Sequence, residues 1–110
     1  MYDLSNMDEV ILLTIFKLKD NAYGVTIRRK IEDMMKKIIG YGTLYSALDQ
    51  LVKRGLVLKI TGEPTHERGG RRKNYYRITR IGAAALKTAR DQKNVLWDGI
   101  SDSSLDRIND

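Results

Sequence analysis

Residues 41–55 read YGTLYSALDQLVKRG, and this stretch decides the fold because it has the period of an amphipathic helix followed by a glycine. Its apolar residues recur at steps that place them on one face: Leu44, Leu48, Leu51 and Val52. The pattern predicts a helix from about Thr43 to Arg54, and Gly55 suits the position after its last turn. The other faces keep polar side chains at Tyr45, Ser46, Asp49, Gln50 and Lys53.

Two further helices are predicted upstream of this segment. Asn6 followed by Glu9 has the spacing of a capping box and predicts a first helix over about residues 6–19. This helix is apolar nearly all round, so the core covers one side and a second subunit is the simplest cover for the other. Gly24 precedes a second helix over about residues 25–38, and Gly40-Tyr41-Gly42 breaks the chain before the third. Three short helices with brief connections make a helix-turn-helix arrangement.

Downstream of Gly55 the period changes from that of a helix to that of a strand. Residues 56–61 alternate, and residues 73–79 alternate again with Tyr76 and Ile78 on one face. The segment between them is polar, which predicts a hairpin with a long basic tip. Thr79 suits the cap of a last helix over residues 80–97, and the acidic tail after Gly99 is expected to fray. The predicted fold class is therefore α+β and mostly α.

The charge of the chain is unevenly distributed. The formal net charge is +6 and the isoelectric point is about 9.7. Residues 98–110 hold four Asp against one Arg, whereas residues 68–80 hold six cations and no acid. A concentrated positive segment favours a polyanionic partner. Charge alone leaves a second interpretation open, in which these side chains only form a solvated surface.

Several function classes are disfavoured by what the sequence lacks. It has no Cys and a single His, His66, in a predicted loop, so we expect neither a metal site nor a nucleophile with its base, and no cofactor. Gly40-Tyr41-Gly42 lacks the third glycine and the preceding strand of a dinucleotide-binding fingerprint. The chain shows no secretory signal, and its longest apolar run, residues 10–16, is too short to span a bilayer. We therefore expect a cytoplasmic protein that is neither an enzyme nor membrane-bound.

The third helix is the first candidate for contact with duplex DNA. The major groove admits an α-helix, and the N-terminal residues of the second helix in a helix-turn-helix reach the base edges. The candidate contacts are Tyr41, Gly42, Thr43, Tyr45, Ser46 and Gln50. Gln50 has the groups to pair with adenine, and Tyr45 can contact a thymine methyl or a phosphate. Taken alone, the segment could equally be an ordinary surface helix.

The tip of the hairpin is the second candidate. Its cations, Arg68, Arg71, Arg72 and Lys73, surround Gly69-Gly70, which lets the backbone turn tightly. Such a cluster suits phosphates or a narrow minor groove. A solvated loop or a binder of single strands remain alternatives. The position of the hairpin directly after a three-helix unit favours binding to double-stranded DNA.

Trp97 is the third candidate. A lone Trp near the end of a helix is usually a packing anchor. The alternative is an aromatic wall for a flat ligand at an interface between subunits.

These motifs, in this order, resemble the PadR family of bacterial transcriptional regulators over about residues 8–86. The resemblance rests on Ala22-Tyr23-Gly24, on GTLYSAL at residues 42–48, on Gly55-Leu56-Val57, and on GGRRKNYYRIT at residues 69–79 with Gly82. Two positions depart from the usual family pattern. Ser46 stands where the family has Pro, within the segment expected to contact bases, and Asn74 interrupts the more common Lys-Tyr-Tyr.

The resemblance implies a winged helix-turn-helix over residues 1–79, a dimerisation helix over residues 80–100 and a flexible acidic tail over residues 101–110. It further implies a homodimeric repressor on an inverted-repeat operator, with the third helix in the major groove and the hairpin as wing. The expected dimer contacts are Ile11, Ile15, Leu86, Leu96 and Trp97.

Some short-tailed family members bind flat aromatic drugs beside a Trp, which makes Trp97 a possible site for a small aromatic effector. Trp97 lies about one turn later than the Trp of those members. A ligand-responsive sensor and a protein-interaction module therefore stay as alternative functions.

Overall fold

The computed structural model describes residues 3–62 and 73–109 of the chain. Within these ranges the elements in chain order are α1 (Asn6–Leu18), a 3₁₀ turn (Lys19–Asn21), α2 (Gly24–Met35), α3 (Tyr41–Lys53), β1 (Val57–Thr61), β2 (Asn74–Ile78), α4 (Arg80–Trp97) and α5 (Asp102–Asp106). Three helices followed by an antiparallel hairpin and a further helix make a winged-helix fold. The predicted fold class is therefore confirmed.

Helix α1 begins at Asn6 as predicted, but its N-cap is Ser5, one residue before the predicted cap. Ser5 and Asp8 form the capping box, in which each side chain accepts a 3.0 Å hydrogen bond from the other's backbone N–H. The prediction of Asn6 with Glu9 was wrong because this pair has the same spacing one residue later. The cap directs the next two turns of α1 into the core, where Ile11 and Leu12 are fully buried.

The expectation that Ile11 and Ile15 form a subunit interface needs correction. Their exposed fractions are 0% and 1%, so both are enclosed by the chain's own core. A second subunit cannot contact them without opening that core. The apolar side chains of α1 that do face outward are Met7, Leu13 and Phe16. A helix that is apolar all round does not reveal by its pattern which side faces inward.

Helix α2 is shorter than predicted and α3 is longer. Lys36 adopts a left-handed conformation, with φ of 56°, and ends α2 at Met35 instead of residue 38. Ile38 consequently leaves the apolar stripe of α2 and is 71% exposed. Helix α3 begins at Tyr41 with Gly40 at its N-cap, so Tyr41 and Gly42 belong to the first helical turn and do not precede it.

The hairpin is attached to the start of α2. Strands β1 and β2 pair in antiparallel register from Val57 opposite Ile78 to Thr61 opposite Asn74. The N–H of Tyr76 donates to the carbonyl of Ala22 at 2.8 Å, and Tyr23 pairs with Tyr75 as an isolated bridge. The short segment before α2 therefore serves as a third pairing partner for the sheet, which fixes the base of the hairpin relative to the helices.

Helix α4 is fixed at its start and projects at its end. Thr79 caps it as predicted, by accepting a hydrogen bond from the N–H of Gly82 at 3.0 Å. The radius of gyration is 17.0 Å, against about 13 Å for a compact domain of this length. Every described residue from 91 onward is exposed, so the second half of α4 extends away from the core.

The segment after α4 was expected to be an unstructured tail. It contains the short helix α5, capped by Ser101. None of the helices in the described ranges is both long and apolar enough to cross a membrane.

Candidate nucleic-acid interface

The exposed face of α3 carries all six residues proposed from the sequence to contact DNA. They are exposed along the first three turns of the helix: Tyr41, Gly42, Thr43, Tyr45, Ser46 and Gln50. The opposite face is held in the core by Leu44, Leu48 and Leu51, each fully buried. Gly40 has no side chain to cap the first N–H groups, so this end of the helix keeps donors and a partial positive charge for an anion.

Two aromatic rings dominate this face. Tyr41 and Tyr45 lie one helical turn apart, with ring centroids separated by 6.1 Å and planes inclined by 21°. They are 40% and 41% exposed, which is high for side chains of this size. Tyr45 reaches back to α2, because a Cβ atom at Gly24 would meet its hydroxyl first and its Cζ at 2.7 Å. The absence of a side chain at Gly24 thus permits the position of Tyr45.

Arg28 of α2 also lies in this region, although no motif in the sequence indicates it. Its guanidinium carbon lies 4.6 Å from the centroid of the Tyr41 ring, and its Nε donates to the carbonyl of Ile39 at 2.7 Å. Arg28 lies one turn after Gly24, as Tyr41 lies one turn before Tyr45. That matched spacing is the only signal in the sequence, and it identifies a contact only once the two helices are known to pack together.

The hairpin presents its described base beside this face. Lys73 lies with its Nζ 4.3 Å from the centroid of the Tyr23 ring, and Tyr23 meets Tyr75 edge to face at 5.5 Å. The N–H of Gly62 donates to the carbonyl of Lys73 at 2.7 Å. The other proposed wing cations, Arg68, Arg71 and Arg72, lie outside the described residues, as does His66.

Tyr76 joins α3 to the hairpin. Its side chain is buried, and burial raises the pKa of its hydroxyl above the usual value of 10.0, with additional upward effects from Tyr45 and Asp49 on α3. The hydroxyl therefore stays neutral through the physiological range. Because Tyr76 also bonds to Ala22, a single β2 residue connects the start of α2, the exposed helix α3 and the wing.

A second surface lies between α1 and α4. An open groove of about 620 Å³ is lined by apolar side chains that include Leu13, Phe16, Leu86 and Trp97. Trp97 is 57% exposed, and Leu96 beside it is exposed as well. Lys93 of α4 forms an ion pair with Glu9 of α1 at the wall of the groove. Of the residues expected at a dimer interface, Trp97 and the half-buried Leu86 line this groove, Leu96 is exposed outside its lining, and Ile11 and Ile15 are buried in the core.

Comparison with known proteins agrees with this geometry. The model of the PadR-like family of transcriptional regulators matches residues 12–88. A transcriptional regulator from Clostridium thermocellum is 30% identical, with a TM-score of 0.69, over 84% of this chain and 87% of that one. A PadR-like transcription factor from Bacteroides fragilis is 27% identical, with a TM-score of 0.72, over 82% of each chain.

A PadR family transcriptional regulator from Eggerthella lenta is 26% identical, with a TM-score of 0.68, over 94% of this chain and 86% of that one. No curated protein sequence matches the chain.

Proposed function

Because the chain belongs to the PadR-like family of transcriptional regulators, we propose that it is a cytoplasmic repressor that binds an inverted-repeat operator as a homodimer. Members of this family regulate transcription and are not enzymes, which agrees with the expectation from the sequence. The observation that carries the proposal is the exposed N-terminal face of α3, with two half-exposed tyrosines, next to the base of a basic hairpin.

In the proposed complex, the first turns of α3 enter the major groove. Tyr41, Thr43 and Tyr45 contact the phosphates and base edges at the entry of the helix, and Gln50 reaches a base further along. Ser46 lies between these positions on the exposed side. The side chains that hold the other face of α3 are apolar and fully buried, so the helix offers only this face to a ligand.

In this proposal, the hairpin serves as a wing that contacts the DNA backbone. Lys73 and the cations Arg68, Arg71 and Arg72 lie against phosphates or in the adjacent minor groove. Contacts of this kind release counterions, so affinity falls steeply with salt.

The exposed apolar faces of α1 and α4 support a homodimer. Leu13 and Phe16 on α1 and Trp97 on α4 line one groove, and all three are exposed in the single chain. Large apolar side chains clustered on one surface mark an interaction site in soluble proteins. A symmetric dimer covers the same patch on both copies. It also presents two copies of α3, which is the geometry that reads an inverted repeat.

Selection of bound duplexes from a random pool tests DNA reading and symmetry together. We expect an inverted repeat whose half-sites lie about one helical turn, or roughly 10 base pairs, apart. Sedimentation of the free protein is expected to show a dimer. Recovery of no common sequence contradicts operator recognition, and a single unrepeated half-site contradicts the symmetric dimer.

A charge-removal experiment tests the wing. The double variant Arg71→Ala/Arg72→Ala is expected to bind all duplexes more weakly, with the slope of log K against log salt reduced by about two. Arg107→Ala is the matched control because it removes a cation from the tail, and its slope is expected to equal that of the wild type. An unchanged slope in the double variant contradicts the wing assignment.

Transcription in vitro tests the sign of regulation. We expect addition of the protein to reduce transcripts from a promoter that overlaps the selected site. An increase in transcripts contradicts the repressor role and leaves DNA recognition intact.

A ligand-responsive sensor is the second candidate function, and the groove between α1 and α4 favours it. Its volume of about 620 Å³ suits a small molecule, and Trp97 with Phe16 can stack on a flat aromatic compound. Trp97 is the only Trp, so quenching of its fluorescence reports binding directly. Quenching accompanied by release of the selected duplex supports the sensor, whereas quenching without release leaves a ligand site that does not regulate.

A further inference from the structure

Three side chains form a continuous stack between α2 and α3. Arg28 lies over the ring of Tyr41 at 4.6 Å, and Tyr41 stacks on Tyr45 at 6.1 Å. We call these three residues the reading stack. Its far end is fixed, because the hydroxyl of Tyr45 fills the space where Gly24 has no side chain. Gly24 and Arg28 are one turn apart on α2 and face Tyr45 and Tyr41, which are one turn apart on α3.

Arg28 also fixes the turn that leads into α3. Its Nε donates at 2.7 Å to the carbonyl of Ile39, which immediately precedes the N-cap residue Gly40. Gly40 contributes no capping side chain, and Lys36 at the other end of the turn is in a left-handed conformation. In the described part of the chain, the Arg28 bond is therefore the side-chain hydrogen bond that ties this turn to α2, beside the packing of Ile39 in the core.

We propose that Arg28 is a positioning residue that determines sequence preference by holding Tyr41, and through it Tyr45, in the orientation that reads DNA. This inference rests on the proposed function of α3. Arg28 acts through two groups: a planar guanidinium that stacks on Tyr41 and an Nε–H that holds Ile39. The alternative role is that of a simple cation that attracts phosphate. Both roles need the positive charge, but only the first needs the planar group.

Arg28→Lys separates these two roles because it keeps the charge and loses the planar guanidinium with its Nε donor. We expect the ratio of affinities for the selected duplex and a scrambled duplex to fall about fivefold, the size of one cation–π contact. The salt slope and the affinity for the scrambled duplex are expected to stay at wild-type values, since the number of cations is unchanged. Arg29→Lys, at the exposed neighbouring position, is the matched control and keeps the wild-type ratio.

A double-variant cycle tests whether Arg28 acts through Tyr41. In a Tyr41→Leu background the stack is already broken, so adding Arg28→Lys is expected to lower preference by less than it does in the wild type, because only its bond to Ile39 remains to be lost. Additive losses in the double variant overturn the proposal, because they mean that Arg28 acts by another route. A wild-type ratio in Arg28→Lys overturns it as well and identifies Arg28 as a simple cation or a bystander.

One measurement on the wild-type protein needs neither DNA nor a variant. The Cδ protons of Arg28 are expected to resonate upfield of those of Arg29, because they adjoin the guanidinium that lies over the Tyr41 ring. Equal shifts overturn the stack, even if Arg28→Lys fails to fold. A wild-type protein that shows the upfield shift but does not distinguish the two duplexes overturns the proposed function, and with it the role of the stack in reading.

Discussion

Replacing Gly24 by Ala is expected to impair DNA reading while leaving the fold intact. The added Cβ would meet the hydroxyl of Tyr45 and lie 2.7 Å from its Cζ, well inside normal contact distance. Tyr45 is 41% exposed, so its side chain can rotate into solvent and relieve the clash without a shift of the backbone. The substitution is made at Gly24, which lies beneath the proposed reading surface, and it displaces only the side chain of Tyr45 from that surface.

The magnitude follows from opposing contributions. Displacement of Tyr45 removes its stacking on Tyr41, worth about 0.5–1.5 kcal/mol. Replacing Gly by Ala in a helix stabilises the helix by at most about 1 kcal/mol. The free energy of unfolding should therefore fall by no more than about 1.5 kcal/mol, or by roughly 6 °C in melting temperature. Loss of one contact to DNA costs about 1 kcal/mol or more, so preference for the selected duplex should fall about fivefold or further.

The assay pairs thermal melting with fluorescence anisotropy on the selected and scrambled duplexes. Gly24→Ala is measured alone and in a Tyr45→Ala background. We expect it to lower preference in the first case and to have no further effect in the second. Wild-type preference in a folded Gly24→Ala protein would refute the reasoning, as would an equal loss in both backgrounds.

Three other substitutions test different parts of the structure. Gly82→Ala should destabilise the protein by about 1–3 kcal/mol, because a Cβ there meets the backbone oxygen of Leu56 and lies 2.8 Å from Cγ1 of Ile78. An unchanged melting temperature would contradict this close packing of Gly82 against Leu56 and Ile78. Tyr76→Phe should reduce the loss of stability above pH 10. Because the pKa of Tyr76 is raised by folding, the folded state keeps the hydroxyl proton to a higher pH than the unfolded state does. The resulting stabilisation is complete below pH 10 and is lost as pH rises through the folded pKa. Denaturation curves from pH 8 to 11 measure this difference, and parallel curves for the two proteins would contradict it. Phe16→Ser should weaken dimerisation measured by sedimentation. The control Ile38→Ser, at an exposed position outside the α1–α4 groove, should leave dimerisation unchanged. Dimers of equal strength in both variants would contradict the proposed interface.

The elements could be predicted from the sequence because their periods are clear. The apolar residues of α3 repeat at helical steps, and the strand pair alternates. Element ends were less predictable. No Gly or Pro marks the end of α2, which stops because Lys36 takes a left-handed conformation. Gly42 looked like a helix breaker, but glycine costs a helix only about 1 kcal/mol, which the burial of Leu44 and Leu48 outweighs.

The parts of the site that depend on packing could not be predicted. Arg28 bonds to Ile39 across eleven residues of sequence, and no local pattern indicates such a contact. Ile11 and Ile15 were assigned to the wrong environment because α1 is apolar on both sides. Only the packing of α1 against its neighbours distinguishes the buried pair from the exposed Leu13 and Phe16.

The contacts at the start of α4 connect the proposed DNA-binding surface with the proposed dimer surface. The Thr79 hydroxyl donates to the carbonyl of Gly55 at 2.7 Å, and its N–H donates to the carbonyl of Leu56 at 3.1 Å. Gly82 packs against the same Leu56 carbonyl. Gly55 and Leu56 are also the residues that join α3 to the wing, so α4 is fixed to the reading elements at the point where they meet. In the proposed dimer, the packing of α4 against the second subunit therefore sets the separation of the two α3 helices. A ligand that changes this packing would change the spacing between the half-sites that the dimer can bind.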